Sequence, residues 1–422
     1  MEGWRFFVLV LLLIHQPGFL LIQVEGQDGF AKTRGVQFWL NDEAFYINGF
    51  NAYWFLLVAS DPSRRSNVSS AFQQANKYGL TVARTLAFWD GGSGALQTSP
   101  GVYNEQTFQA LDFVISEAKN YGVKLILSLG NNGDDFGGKK QYVQWAKSRG
   151  QNVSSDDDFF VNEVVKGFYK NNIKTVLTRN NTITGVAYMA DPTILAWELM
   201  NEPRCPSDLT GKTLQDWITE MASYLKSIDP NHLLEVGLEG FYGQSGAQKQ
   251  FNISYFQVGT DFIANNQVIG IDFATVHSYP NVFPGPSNQT QLAFFNDWNN
   301  VHVQDAQNIL KMPVLFAEFG TPSTDPGRDA IYNATYSTID LSAQAGGAAA
   351  GGLFWELLVE GLDYLHDAFG VLLNNGSSTA TLIGQQSQKL RKIKKMRNGT
   401  WKKERDVRKN ETDISKNMRT GH

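Results

Sequence analysis

The chain has 422 residues, of which 42% are hydrophobic and 13% aromatic, and its formal net charge is −5. This composition allows a large core, built either as two or three ordinary domains or as one α/β barrel with insertions. From Lys389 onward thirteen Lys or Arg residues face four acidic ones, a local +9 that leaves about −14 for the rest of the chain. An acidic body disfavours nucleic acid as a partner and suits a neutral polymer.

Residues 1–26 are predicted to form a secretory signal peptide. Arg5 precedes an apolar run over residues 6–14, and the small Gly26 marks the expected cleavage point. The alternative is an uncleaved membrane anchor over residues 6–24, which Pro17 interrupts. Nine Asn-X-Ser/Thr sequons fit a secreted glycoprotein with no membrane attachment after cleavage. Cys205 is the only cysteine, so an internal disulfide is excluded.

Eight strand-like runs alternate with helical patterns along the chain. They cover residues 45–52, 81–88, 124–130, 194–201, 232–238, 273–279, 313–319 and 352–358. Between them, residues 106–121 and 214–228 carry apolar side chains at helical spacing. These alternations predict the α/β class and a (β/α)8 TIM barrel that forms a single domain over residues 27–396. The basic segment 397–422 has few apolar residues and is predicted to be a disordered tail.

Two glutamates stand at the ends of apolar runs. Glu202 closes Ile-Leu-Ala-Trp-Glu-Leu-Met-Asn-Glu, and Glu318 lies in Pro-Val-Leu-Phe-Ala-Glu-Phe-Gly. A carboxylate at the end of a buried strand costs free energy unless it is paired or used. Because the chemistry of a parallel barrel lies at the C-terminal ends of its strands, two such carboxylates predict a glycoside hydrolase. The alternative for either one alone is a structural glutamate that caps a loop.

Other candidate site residues lie at the same strand ends. Asn201 precedes Glu202, and Trp355 lies within the last run. His277 and Tyr279 are two positions apart, so their side chains share one face of a strand. No metal site and no cofactor are predicted, because the six histidines are scattered and no set of thiolates exists.

The chain resembles the plant endo-β-1,4-mannanases of glycoside hydrolase family 5 over about residues 35–373. The most specific motif is Trp-Glu-Leu-Met-Asn-Glu-Pro-Arg-Cys at 197–205, followed by Asp-Phe-Ala-Thr-Val-His-Ser-Tyr-Pro at 272–280, Ala-Glu-Phe-Gly at 317–320 and Gly-Leu-Phe-Trp at 352–355. The resemblance implies a retaining mechanism with Glu202 as general acid/base and Glu318 as nucleophile. Glu202 must then start protonated, so its neighbours are expected to raise its pKa, while Glu318 stays ionised.

The resemblance also implies supporting roles for five other residues. Arg84 corresponds to the family arginine that points toward the nucleophile, and Asn201 to the asparagine that binds the sugar 2-hydroxyl. Tyr279 is expected to hold the nucleophile, and His277 to orient the site. Trp355 is expected to form the floor of the −1 subsite.

Three departures from the family pattern affect the expected binding of substrate. Leu86 and Gly133 stand where the family usually has tryptophan, and Glu356 stands where it usually has glutamine. Two ring platforms are therefore lost or moved, and Trp89 is the candidate that replaces them in substrate binding. Short manno-oligosaccharides are expected to bind more weakly than in relatives that keep both rings.

The expected function is hydrolysis of internal β-1,4-mannosidic bonds in mannan, glucomannan and galactomannan, with transglycosylation compatible with the same site. The expected partners are therefore β-mannan polysaccharides, and the expected location is the extracellular cell wall. Two alternatives stay open: a β-1,4-glucanase of the same family, and a catalytically weak mannan-binding relative.

Overall fold

The computed structural model describes residues 29–244, 251, 257–280, 288–365, 367–374 and 376–419. The predicted signal peptide, residues 1–26, lies outside these described residues. Within them, no helix has both the length and the apolar character needed to span a bilayer.

Eight parallel strands curve into a barrel. Their bounds are β1 Ile47–Asn51, β2 Val82–Leu86, β3 Lys124–Ser128, β4 Ile194–Glu198, β5 Leu233–Glu235, β6 Ala274–Ser278, β7 Val314–Phe319 and β8 Ala349–Phe354. Neighbouring strands pair in the order β5–β4–β3–β2–β1–β8–β7–β6. Backbone hydrogen bonds from Asp272 to Leu234 at 2.8 Å and from His277 to Glu239 at 3.0 Å bring the two edges together. The predicted single-domain (β/α)8 barrel is confirmed.

Every predicted run contains a barrel strand, but the last strand starts earlier than its pattern indicated. β8 begins at Ala349, whereas the run was placed at 352–358. Small residues are required there: a Cβ on Gly351 would lie 2.2 Å from the Ile47 carbonyl oxygen, and one on Gly352 would lie 3.0 Å from the Phe319 ring. An Ala-Ala-Gly-Gly segment lacks the β-branched residues typical of strands, so local sequence does not reveal it.

Ten α-helices lie within the described part of the chain. They are α1 Phe55–Ala59, α2 Arg65–Tyr78, α3 Glu105–Asn120, α4 Gly138–Ser148, α5 Glu163–Leu177, α6 Lys212–Ile228, α7 Phe262–Asn266, α8 Asn288–Asp305, α9 Arg328–Ala345 and α10 Ser378–Arg419. Short 3₁₀ segments cover Pro62–Arg64, Asp156–Phe160, Tyr188–Ala190 and Asp363–Leu365, and a π-helical turn covers Ala306–Leu310. In α6 the predicted apolar face, with Trp217, Met221 and Leu225, is buried in the main core.

A small antiparallel sheet covers the N-terminal end of the barrel. It consists of Lys32–Arg34, Gln37–Leu40 and Glu43–Ala44. Its Phe38 is fully buried, meets the Phe273 ring at a centroid distance of 5.0 Å and joins a core cluster with Ile47 and Val82. The opposite end carries the loops, including two short strand pairs, Gln97–Ser99 with Val102–Tyr103 and Leu357–Leu358 with Val371–Leu372. That C-terminal end is therefore the one left for a site.

The last helix, α10, begins on the barrel and continues into the basic segment. Its first half packs on the barrel through Ile383, Leu390 and Ile393, as expected. Its backbone then remains helical to Arg419, within the segment 397–422 that was predicted to be disordered. Lys, Arg, Glu and Met are good helix formers, and α10 contains no proline, so a charged sequence can continue the helix. That residues 397–422 form a disordered tail stays a prediction.

Candidate active site

Four strands bring polar side chains to the C-terminal end of the barrel. Arg84 lies in β2, His277 in β6 and Glu318 in β7, and Glu202 follows β4. Hydrogen bonds and ion pairs join these residues across the barrel mouth. The structure thus brings together residues that are far apart in the sequence, as the strand-end pattern predicted.

The segment after β4 fixes the direction of Glu202. Its backbone N–H donates to the Gly237 carbonyl at 2.9 Å, and the preceding Asn201 N–H donates to the Gly130 carbonyl at 2.9 Å. Glu202 has a φ of 50°, in the left-handed region that residues with side chains rarely adopt. Gly237 permits this close approach, because a Cβ there would lie 1.9 Å from the Met200 carbonyl oxygen.

The two carboxyl groups are close together. One oxygen of Glu202 and one of Glu318 lie within 4.8 Å of each other. The Glu318 side chain is 6% exposed and that of Glu202 is 29% exposed, so one is enclosed and the other faces the cleft. Retaining glycosidases hold their carboxyl groups about 5–5.5 Å apart, whereas inverting ones need about 6.5–9.5 Å to admit a water. The observed separation fits the retaining arrangement.

Glu318 is held at both carboxylate oxygens. Arg84 Nη1 donates to Oε1 at 2.6 Å, and the Tyr279 hydroxyl donates to Oε2 at 2.6 Å. Burial and the charge of Glu318 raise the Tyr279 pKa well above its ordinary value, so the phenol keeps the proton that it donates. Charge-assisted bonds of this kind fix both the ionised form of a carboxylate and its orientation.

Arg84 is the hub of the buried network. It is 5% exposed, and its Nε and Nη2 donate to the two oxygens of Glu198 at 2.6 and 2.9 Å. Asn51 Oδ1 accepts from Nη1 at 3.0 Å. Burial raises the pKa of Glu198, but the charge and hydrogen bonds of Arg84 outweigh it and hold that pKa below its ordinary value. Sequence reasoning missed Glu198 and Asn51, although a charged residue inside an apolar strand was an available signal.

The side-chain amide of Asn201 is oriented by its neighbours. Arg84 Nη2 donates to its Oδ1 at 2.7 Å, and its Nδ2 donates to Asn131 Oδ1 at 3.1 Å. A guanidinium can only donate, so the oxygen of Asn201 must face Arg84. One hydrogen on Nδ2 remains available for a hydroxyl in the cleft.

His277 connects the two carboxylates. Its Nδ1 lies 2.7 Å from Glu202 Oε1 and 3.6 Å from Glu318 Oε2. Burial lowers the His277 pKa, but the charges of Glu318 and Glu202 and the hydrogen bond to Glu202 raise it above its ordinary value. Burial raises the Glu202 pKa, but the hydrogen bond and charge of His277 outweigh it and lower that pKa. The prediction that the neighbours of Glu202 raise its pKa is therefore wrong: the shared proton favours the imidazole.

A second ion pair borders Glu202. Arg204 Nε donates to Glu239 Oε2 at 2.8 Å and its Nη2 donates to Oε1, while that Nη2 lies 3.9 Å from Glu202 Oε2. Burial and the charge of Glu202 raise the Glu239 pKa to about 7, against the lowering effect of Arg204. Sequence reasoning missed this pair, because Glu239 lies in a loop with no periodic pattern that links it to Arg204.

Aromatic rings form a row beside the carboxylates. Trp355 stacks on Tyr53 with centroids 6.0 Å apart and planes 12° apart, and its indole Nε1 donates to Asp367 Oδ2 at 2.6 Å. Phe136 follows at 6.0 Å from Tyr53, and Trp89 meets Phe136 edge-on at 6.0 Å. Sequence analysis identified the two ends of this row and missed the middle, since nothing in the local sequence links Tyr53 to Phe136.

Trp89 is the residue predicted to replace the rings missing at positions 86 and 133, and it lies at one end of the aromatic row. Among the described contacts, the half-buried Trp89 meets Phe136 and packs beside Gly94. Leu86 is half-buried at the end of β2. A Cβ on the half-buried Gly133 would have a side-chain atom, Asn131 Nδ2, as its nearest neighbour at 3.3 Å, so the first atom of a side chain there meets a side chain rather than the backbone.

The carboxylate cluster also offers three potential metal ligands. Glu202, His277 and Glu318 each present one ligand atom within 4.8 Å of the others. However, Arg84 and Tyr279 donate to both oxygens of Glu318, and a guanidinium beside a carboxylate repels a cation. The donor arrangement therefore suits a catalytic carboxylate pair better than a metal ion.

Comparison with known proteins identifies the family. The family model described as GH family 5 beta-mannosidase-like matches residues 28–364. The chain belongs to glycoside hydrolase family 5. Family 5 relatives include mannan endo-1,4-beta-mannosidase 7 of Arabidopsis thaliana, 59% identical over 87% of this chain and 87% of the relative. Mannan endo-1,4-beta-mannosidase 1 of Oryza sativa subsp. japonica is 58% identical over 92% of this chain and 91% of the relative.

A solved structure agrees with the family assignment. The endo-beta-1,4-mannanase from Thermotoga petrophila is 33% identical, with a TM-score of 0.71, over 82% of this chain and 76% of that chain. The predicted resemblance to family 5 mannanases is thus confirmed.

Proposed function

We propose that this family 5 chain is a retaining glycoside hydrolase that cleaves internal β-1,4-mannosidic bonds in mannan, glucomannan and galactomannan. The observation that carries the proposal is the approach of Glu202 and Glu318 to within 4.8 Å, which suits direct attack by a carboxylate. The mannan endo-1,4-beta-mannosidases at 58–59% identity support mannan as the polymer.

In the first step Glu318 is the nucleophile. One of its oxygens forms a bond to C1 of the sugar in the −1 subsite, and the bond from C1 to the glycosidic oxygen breaks. Glu202 transfers its proton to that leaving oxygen. Arg84 and Tyr279 hold Glu318 in its attacking orientation, and Asn201 offers its free amide hydrogen to the sugar 2-hydroxyl, a contact that strengthens as positive charge develops.

In the second step Glu202 acts as a base. It removes a proton from a water, the water oxygen forms a bond to C1, and the ester bond to Glu318 breaks, so the β configuration is restored. A sugar hydroxyl that enters in place of water would give transglycosylation by the same route. The aromatic row from Trp355 to Trp89 provides ring faces for the polymer on this side of the centre.

The proton for the first step is held by two groups together. His277 Nδ1 and Glu202 Oε1 are 2.7 Å apart, so one proton can move between them. Because the His277 pKa is raised, the pair keeps its proton to a higher pH than the lowered pKa of Glu202 alone would allow. The fall of kcat/KM at high pH, its alkaline limb, is therefore expected to follow the loss of the last proton from the Glu202–His277 pair.

His277→Asn is expected to move the alkaline limb of kcat/KM to lower pH. The amide can still donate a hydrogen bond to Glu202, but it cannot store a proton, so Glu202 must hold the proton alone. The measurement is a pH profile of kcat/KM on mannopentaose for both enzymes. A limb that stays in place or moves to higher pH would show that His277 does not store the catalytic proton.

Gly133→Trp is expected to improve kcat/KM on mannotriose and mannotetraose. A partial ring contact with a sugar is worth on the order of 1–2 kcal/mol, or roughly tenfold in affinity. Gly167→Trp is the matched control, because Gly167 is exposed on α5 with open space around its Cβ. The opposite outcome is that Gly133→Trp and Leu86→Trp both lower kcat/KM while Trp89→Ala strongly weakens binding. In that case Trp89 already replaces the missing rings, and short manno-oligosaccharides are not bound more weakly than in the relatives.

Secretion to the cell wall is part of the same proposal. It rests on the signal-like residues 1–26 and on the nine sequons. Residues 27–396 would then be the mature catalytic barrel, and the basic segment 397–422 follows it.

The direct test is a reducing-sugar assay of the purified mature protein on β-mannan and on cellulose, with product lengths followed over time. Release of mixed short oligosaccharides from mannan, and not from cellulose, is the expected result. Preferential cleavage of cellulose would identify a β-1,4-glucanase instead. Mannan binding without product release would identify a binding protein.

A further inference from the structure

Glu356 is a fully buried glutamate that directly follows Trp355. The indole ring of Trp355, taken as a sugar-binding surface, is called the platform below. The Glu356 side chain is 0% exposed, and neither carboxyl oxygen has a hydrogen-bond partner among the described residues. A buried polar group without a partner costs free energy, and an ionised one costs far more unless an opposite charge neutralises it. An amide or apolar residue could fill this position without that cost. The presence of a carboxyl group here therefore points to a function.

The charges that act on Glu356 are negative. Burial, followed by the charges of Asp367 and Glu318, raises its pKa to about 9, and no described cation is among the charges that act on it. Tyr53 lies in the loop after β1 and stacks on the adjacent Trp355. Burial and the charges of Glu356, Asp367 and Asp135 raise the pKa of that phenol to about 12, so Tyr53 is uncharged.

The two neighbouring carboxylates both accept hydrogen bonds that hold them in place. Asp367 accepts hydrogen bonds from the Trp355 indole at 2.6 Å and from the Phe369 backbone N–H at 2.9 Å. Glu318 accepts hydrogen bonds at both of its oxygens, which suits the proposed nucleophile. Among the described residues a negative charge on Glu356 would have no counter-charge, so Glu356 is the member of this group that must stay protonated.

The backbone connects Glu356 to the platform. Its carbonyl oxygen accepts from the Val371 N–H at 2.8 Å, and the Trp355 N–H donates to the Phe319 carbonyl at 2.8 Å. The Leu357–Leu358 and Val371–Leu372 strands therefore pack the segment that carries Asp367 against the segment that carries Trp355. If a charged Glu356 side chain turned toward solvent, both segments would have to move.

We propose that Glu356 is a positioning residue that works as an uncharged acid: its proton keeps the Trp355 indole and Asp367 in place, and loss of that proton releases the platform. The inference rests on the proposed function only in taking Trp355 as a sugar-binding surface. It adds a second cause for the loss of substrate binding at alkaline pH. This cause is separate from the loss of the proton that Glu202 and His277 share.

The first test is thermal unfolding of the full chain from pH 4 to pH 10. The folded-state pKa of this acid is raised, so wild type holds a proton that the unfolded chain gives up above pH 4.5, and its stability falls as pH rises toward about 9. Glu356→Gln has the same shape and no charge to lose. We expect equal melting temperatures at pH 4 and a variant that melts several degrees higher at pH 8–9. Glu360→Gln, at an exposed position, should match wild type throughout.

The second test is the ratio of kcat/KM on mannotetraose, variant to wild type, at each pH. The Glu202–His277 pair titrates in both enzymes, so its effect cancels in the ratio. The ratio should stay near one from pH 5 to 7 and rise to roughly twofold at pH 9 and roughly tenfold at pH 10, mostly through KM. An effect of packing alone, without loss of a proton, would give a ratio that does not change with pH.

Two results would overturn the proposal: melting curves of Glu356→Gln that track wild type at every pH, or a variant that loses activity already at pH 5. If Glu356→Gln does not fold, Glu356→Met should show the same pH-dependent gain in melting temperature. The melting comparison needs no substrate, so it still decides the matter if the protein proves not to cleave mannan.

Discussion

Glu318→Ala is expected to lower kcat on mannan by at least about four orders of magnitude, because no glycosyl-enzyme can form without the attacking carboxylate. The fold should survive, since Arg84 keeps its buried ion pair with Glu198 and the barrel strand β7 is intact. Added azide should not restore a product of retained configuration, because an azide that attacks the substrate directly inverts C1.

Glu202→Ala should behave differently, which is what makes the pair of variants informative. General acid catalysis contributes roughly 10²–10⁴-fold, and an aryl mannoside with a very good leaving group needs little protonation in its first step. Glu318 can then still form the glycosyl-enzyme, and azide should trap it as a β-linked mannosyl azide. If azide instead rescues Glu318→Ala with a β-linked product, the two roles must be exchanged.

The sequence was sufficient to predict the barrel and the two carboxylates. Buried parallel strands are continuously apolar, so seven of the eight predicted runs enclose a whole barrel strand, and catalytic groups of a barrel lie at strand ends. β8 was harder to place, because close packing of Gly351 against Ile47 requires small residues that carry no strand signal.

Contacts between distant segments could not be predicted in this way. Asp367 and Tyr53 reach Trp355 from loops after different strands, and no local pattern fixes such a meeting. The direction of the Glu202 pKa shift was also mispredicted. The role of an acid suggests a raised pKa, whereas the 2.7 Å contact with His277 Nδ1 decides where the proton lies in the folded chain.

Arg84→Ala is expected to damage both stability and catalysis. Arg84 is the described cation that pairs with Glu198 and Glu318 inside the barrel mouth. Removing one partner of a buried ion pair costs about 3–5 kcal/mol, because the remaining charge is left uncompensated. Arg84→Lys should recover part of the stability and little of the activity, since an ammonium cannot serve Glu198, Glu318 and Asn201 together. Lys147→Ala, at an exposed position on α4, is the matched control.

The pH dependence of stability distinguishes this account from a simple loss of packing. The Glu198 pKa is lowered in the folded protein, so its contribution is fully present above its ordinary value of 4.5 and is lost as pH falls through the lowered pKa. Without Arg84, burial would favour protonated Glu198, and stability would instead fall as pH rises above about 4.5. The melting-temperature gap between wild type and Arg84→Ala should therefore widen from pH 4 to pH 8. A gap that stays constant over this range would mean that Arg84 stabilises the barrel through packing rather than through charge.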